Sequence, residues 1–93
     1  MTETRLQKKI LDFLLSIGAW TVKVQSANKT GVPDILCCYR GLFIAIELKR
    51  PSRKAEGSAL QEYQIRKIKE AGGRAFVANN LATVEQFFKE LSV

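Results

Sequence analysis

The chain has 93 residues, with 15 basic and nine acidic side chains, a net charge of +6 and an isoelectric point near 9.6. That length sets one domain, residues 1–93, with a modest core, and the basic excess favours a polyanionic partner, nucleic acid ahead of an anionic membrane. There is no histidine, which excludes His-dependent zinc sites, HNH-type chemistry and Ser-His or Cys-His triads.

Leu6, Ile10, Phe13, Leu14 and Ile17 recur at helical spacing and predict a first helix. Thr2 is placed to cap it and Gly18 to end it. Trp20 to Gln25 alternates, with Trp20, Val22 and Val24 on one side, which predicts a half-buried strand. Ser26 to Gly31 reads as a polar loop. Two apolar runs, Asp34–Tyr39 and Leu42–Leu48, flank Arg40-Gly41 and predict a hairpin, although Arg is not a favoured first residue of a tight primed turn. Cys37 and Cys38 are sequence neighbours and point to opposite faces of a strand, so they suit neither a disulfide nor a shared metal. They are expected to be two small buried side chains in a reducing compartment.

Residues 50–57 (RPSRKAEG) form a basic loop. Helical spacing returns from Ser58 to Ala71, with Leu60, Ile65 and Ile68 apolar, and stops at Gly72-Gly73. Ala75 to Ala78 reads as a short strand. Leu81, Val84, Phe87, Phe88 and Leu91 mark a last amphipathic helix capped by Asn79 or Asn80. Its phenylalanines are compatible with a dimer surface. The second helix is long enough for a crossover, so the last strand should run parallel to Leu42–Leu48. No run approaches the roughly 18 apolar residues of a membrane span, and the chain reads as soluble and intracellular.

The hairpin carries the chemistry. With Arg40-Gly41 as a two-residue turn, Asp34 and Glu47 lie equally far from its centre and face each other. Their Cβ atoms would be about 4.5–5.5 Å apart. A four-residue loop about the same centre preserves this pairing, and a three-residue loop shifts it by one. Lys49, two positions past Glu47, points to the same face. Two carboxylates that close repel, and a divalent cation relieves the repulsion. An all-oxygen donor set suits Mg²⁺ or Mn²⁺, and a lysine beside it can orient water or a phosphate.

Pro33-Asp34, twelve residues, then Glu47-Leu48-Lys49 resembles the motif of the PD-(D/E)XK nuclease superfamily. More closely, the chain resembles a stand-alone VRR-NUC (virus-type replication-repair nuclease) domain. Glu3 to Gln7, Gly31-Val32-Pro33-Asp34, Ile46 to Lys49 with Pro51, and Ser58 to Gln61 carry that resemblance. It implies an α/β, restriction-endonuclease-like αβββαβ core, a mixed sheet flanked by helices, with a C-terminal helix. It implies a Mg²⁺- or Mn²⁺-dependent endodeoxyribonuclease in which Asp34, Glu47 and the Leu48 carbonyl bind the metal. Lys49 would be the catalytic lysine, with Glu3 and Gln61 joining the site. Glu3 is equally a favoured first-turn residue, and Gln61 equally a capping-box residue. Gln7 reads as surface.

Lys29, Arg50, Arg53 and Lys54 are expected phosphate contacts, which position DNA without reading its sequence. Arg66, Lys67 and Lys69 read as an exposed helix face. No base-reading motif is present. The resemblance points to branched DNA such as a four-way junction, to a homodimer, to a viral or mobile-element origin and to room for a targeting protein. The alternatives are a non-catalytic nucleic-acid-binding module on the same fold, or an interaction protein with plain surface charge.

Overall fold

A computed structural model describes residues 1–92. The order is α1 (Glu3–Ser16), β1 (Trp20–Lys23), β2 (Ile35–Tyr39), β3 (Leu42–Leu48), α2 (Ala59–Glu70), β4 (Arg74–Ala78) and α3 (Leu81–Glu90). Each helix begins on a side-chain cap, which satisfies backbone donors that have no partner inside the helix. Thr2 accepts from the Arg5 amide, Ser58 from Gln61 and Asn80 from Thr83.

The four strands lie in the order β1-β2-β3-β4. β1–β2 and β2–β3 are antiparallel, and β3–β4 is parallel, as the α2 crossover requires. The hairpin register runs from Tyr39 opposite Leu42 to Ile35 opposite Ile46. Arg40 (φ 50°) and Gly41 (φ 82°) both adopt left-handed backbone. This is the signature of the two-residue turn whose twist matches the flanking strands. Arg40 bears that conformation while its guanidinium lies 5.2 Å from the Tyr39 ring centroid.

Strand alternation divides the sheet into two faces. Ile35, Cys37, Ile44, Ile46, Leu48 and Ala78 meet Leu6, Ile10 and Leu14 of α1 and Val84 of α3 in the main core. On the other face, Ala45 and Ala75 pack with Ile65 of α2. Ile44, Ala45 and Ile46 are wholly buried, as the apolar run predicts.

Two expectations are corrected. β1 ends at Lys23, and its Trp20-Val22 side is open: Trp20 is 70% exposed and Val22 36%. β1 is an edge strand, whereas α2 packs over β3 and β4 and leaves this side uncovered. Cys38 is exposed for the same reason, facing Trp20 in the register, while Cys37 on the opposite face is buried. Phe87 and Phe88 are engaged within the fold. Phe87 stacks on Phe76 at 4.6 Å, and Phe88 meets Tyr39 at 5.3 Å and Phe13 at 5.9 Å. Both stay half-buried, and Phe87 lines an open cleft with Phe76 and Gln86.

Candidate active site

Asp34 sits one residue before β2, at the place opposite Glu47 in the continued hairpin register. Its carbonyl still accepts from the Val24 amide at 2.8 Å. Its side chain turns across the hairpin, and Oδ2 accepts from the Leu48 amide at 2.8 Å. The carboxylate thereby reaches β3 just where β2 begins. Buried Pro33 precedes it, and a proline at this point costs no ladder hydrogen bond.

Glu47 is only 3% exposed, the one buried charged residue among the described residues. Such a carboxylate needs partners. Gln61 Nε2 donates to Glu47 Oε2 at 3.0 Å, and Lys49 Nζ lies 3.7 Å from the same oxygen. Burial, and then the neighbouring Asp34 carboxylate, push the Glu47 carboxyl up from 4.5 to about 7, against an opposing pull from Lys49. The two carboxylates thus crowd one another at neutral pH.

Gln61 joins the parts. Its Oε1 accepts from Lys49 Nζ at 2.8 Å and from the Ser58 amide at 2.8 Å, while Ser58 Oγ accepts from the Gln61 amide. One side chain therefore both completes the capping box and touches Lys49 and Glu47. One end of the amide holds the lysine and the helix start, and the other holds the glutamate.

Among the described residues, no group of three or more His, Cys, Asp or Glu side chains converges. A cation held by Asp34 and Glu47 would complete its shell with backbone, water or phosphate oxygens. That is the habit of Mg²⁺, which keeps several waters beside one or two carboxylates. The crowded carboxylate pair fits such an ion.

Basic side chains surround the lysine. Lys49 lines a cleft of about 400 Å³ with Arg53, Lys54, Glu56 and Ser58, and a second of about 270 Å³ with Glu3, Arg50 and Arg53. The structure thus brings Glu3, Arg50, Arg53 and Lys54 to the lysine's side of the site. Lys29 lines a separate cleft with Val32, Pro33 and Tyr63. The Leu48 side chain is buried in the core, and its amide is what engages Asp34.

One contributor escaped the sequence reading. Asn79 Nδ2 donates to the Arg53 carbonyl at 2.7 Å and ties the basic loop to the end of β4. The signal was the Asn79-Asn80 pair: Asn80 alone caps α3, which leaves its neighbour free for another partner.

The architecture is a restriction-endonuclease-like α/β fold, a mixed four-stranded sheet between helices, with an acidic pair and a lysine at the hairpin end. More narrowly, it is the fold of the VRR_NUC domain. A solved VRR_NUC domain superposes with a TM-score of 0.83 at 21% identity, covering 97% of both chains. A VRR_NUC domain protein gives 0.76 at 16% identity, covering 97% of this chain and 87% of that one. A Holliday junction resolvase of the archaeal hyperthermophile Archaeoglobus fulgidus gives 0.62 at 28% identity, covering 83% of this chain and 67% of that one. No protein-family sequence model matches the chain, and no curated protein sequence matches it.

Proposed function

We propose that the chain is a divalent-metal-dependent endonuclease that hydrolyses DNA phosphodiesters at branched structures such as four-way junctions, acting as a homodimer. The observation that carries this reading is the Gln61 bridge, which holds the Lys49 ammonium beside the buried Glu47 carboxylate. A plain surface would have no reason to bury an acid there.

Asp34, Glu47 and the Leu48 carbonyl would hold Mg²⁺ or Mn²⁺. The ion supplies Lewis acidity, neutralising phosphate charge and easing the loss of a proton from water. Lys49 orients the attacking water or donates to a non-bridging phosphate oxygen, with its direction set by Gln61 Oε1. The water oxygen bonds to phosphorus, one P–O ester bond breaks, and the departing oxygen gains a proton. Glu3 approaches from α1 through the cleft it shares with Lys49. Arg50, Arg53 and Lys54 grip backbone phosphates on that side, and Lys29 does so from its own cleft.

Among the described residues, no element resembles a base-reading motif, which favours selection by DNA shape. The similarity to a Holliday junction resolvase supports the branched substrate. Two copies related by a two-fold axis would offer two sites to two strands. A targeting protein could supply further selectivity.

The test is Mn²⁺-dependent cleavage of linear, flap and four-way-junction DNA by wild type, Asp34→Ala and Lys49→Ala, with sedimentation to give the oligomeric state. Cleavage by wild type alone supports the reading. DNA binding without cleavage would make the chain a binding module.

A further inference from the structure

We propose that Gly31 is a positioning residue for this site: its missing side chain seats the loop before Asp34 directly on the backbone of α2, and so sets where Gln61 holds Lys49 and Glu47. The inference rests on the nuclease reading of the same site.

Gly31 has φ +86°, and a Cβ there would lie 2.7 Å from both the carbonyl carbon and oxygen of Leu60 and 3.0 Å from the Gln61 nitrogen. Those are main-chain atoms of the first turn of α2. They cannot rotate aside as a side chain would, so loop and helix would have to part by several tenths of an ångström. A second contact holds the same seam: Gln64 Nε2 donates to the Thr30 carbonyl at 3.1 Å. Gln64 lies one turn beyond Gln61, on the same side of the helix. The seam therefore links Asp34, three residues after Gly31, to the amide that bridges Lys49 and Glu47.

The other glycines with positive φ provide the contrast. At Gly18 (φ +81°), Gly41 and Gly72 a Cβ would meet nothing within 4 Å. They are needed for backbone conformation alone. Gly31 is needed for conformation and for close approach, and Gly18 matches its φ almost perfectly. Gly18→Ala therefore reproduces the backbone strain without the collision.

The experiment compares full-length wild type, Gly31→Ala, Gly18→Ala, Gln61→Ala and the Gly31→Ala/Gln61→Ala double variant. It reads Mn²⁺-dependent junction cleavage and, without metal, the side-chain amide signal of Gln61 by ¹⁵N NMR. Gly31→Ala should lower kcat by roughly 10- to 100-fold, the scale of a small misplacement of catalytic groups. KM should stay near the wild-type value. Gly18→Ala should cleave within about two-fold of wild type, since it touches no site group. The double variant should be no worse than Gln61→Ala, because the two changes act through one contact. The Gln61 amide signal should move in Gly31→Ala and stay in place in Gly18→Ala.

Equal cleavage by the two alanine variants, or losses that multiply in the double variant, would overturn the proposal. Should wild type not cleave, the nuclease reading falls, and the amide signal alone decides whether Gly31 positions Gln61. Should Gly31→Ala not fold, Gln64→Ala opens the same seam. A displaced Gln61 signal in that variant supports the proposal, and an unmoved one overturns it.

Discussion

The side-chain amide of Gln61 donates to the buried carboxylate of Glu47 at 3.0 Å while its oxygen accepts from Lys49 and from the Ser58 amide. One residue thus closes a helix cap and the candidate site together. Gln61→Ala should destabilise the fold by about 1–2 kcal/mol, combining a damaged cap with a buried carboxylate that has lost a donor. Gln61→Glu retains an oxygen for Ser58 and Lys49 but aims negative charge at Glu47. At pH 5 it should be more stable than Gln61→Ala, and it should cleave no better. Urea denaturation and cleavage assays on the two variants check both halves.

Glu47 makes the metal-free protein sensitive to pH. Its folded carboxyl is raised from 4.5 to about 7, so the folded state binds the proton more tightly than the unfolded chain. That contribution is fully present below the unfolded value. It is lost as pH rises through about 7. In EDTA, wild type should therefore be less stable at pH 8 than at pH 5, by at most about 3 kcal/mol. Glu47→Gln should flatten the profile. Added Mn²⁺ should restore stability at pH 8 in wild type alone, because an ion that binds only the folded state stabilises it by mass action.

Asp34 should separate stability from chemistry. Asp34→Asn keeps an oxygen for the Leu48 amide and removes the charge that crowds Glu47. Its metal-free stability should equal or exceed wild type by up to about 1 kcal/mol, with cleavage abolished. Asp34→Ala loses the hydrogen bond as well and should lie about 1 kcal/mol below Asp34→Asn. Thermal melts of the three proteins in EDTA give the ranking.

The adjacent cysteines should differ sharply in reactivity. Cys37 is buried, and its thiol is pushed up to about 11 by that burial and then by Cys38, whereas Cys38 is exposed. Thiolate availability and access govern attack on disulfide reagents. A chromogenic disulfide should label Cys38 promptly in the native protein and reach Cys37 only in denaturant. Cys38→Ser should abolish the prompt phase.

Much of this was readable in the chain. The turn pair, the alternation of the two apolar strands and the positions of Asp34 and Glu47 define a local register, and local registers follow from a short loop. The parallel fourth strand followed from the length of the α2 crossover. The exposure of Trp20, Val22 and Cys38 was not readable, because it depends on where α2 rests across the sheet. Alternation names two faces and does not say which face a distant helix covers. Gln61 was ambiguous for a different reason: an amide has a donor end and an acceptor end, and spacing alone reveals only the cap. The Gly31 seam and the Asn79–Arg53 tie join segments far apart in sequence and leave little local trace.

Asp34 has consequences for how such a chain would decay. Its side-chain oxygen accepts from the Leu48 amide, a contact Asn would keep, so folding alone would retain Asp or Asn there even where chemistry has lapsed. Gln61 is retained in the same way by its helix cap. Lys49 serves the fold through Gln61 Oε1 and through the charge of Glu47, which it offsets from 3.7 Å only while that carboxyl is ionised. In a lineage drifting toward a silent scaffold, the lysine would be the first of the three to go. An oxygen at position 34 would persist, and on the proposed nuclease reading the residue at position 49 would tell working descendants from inert ones.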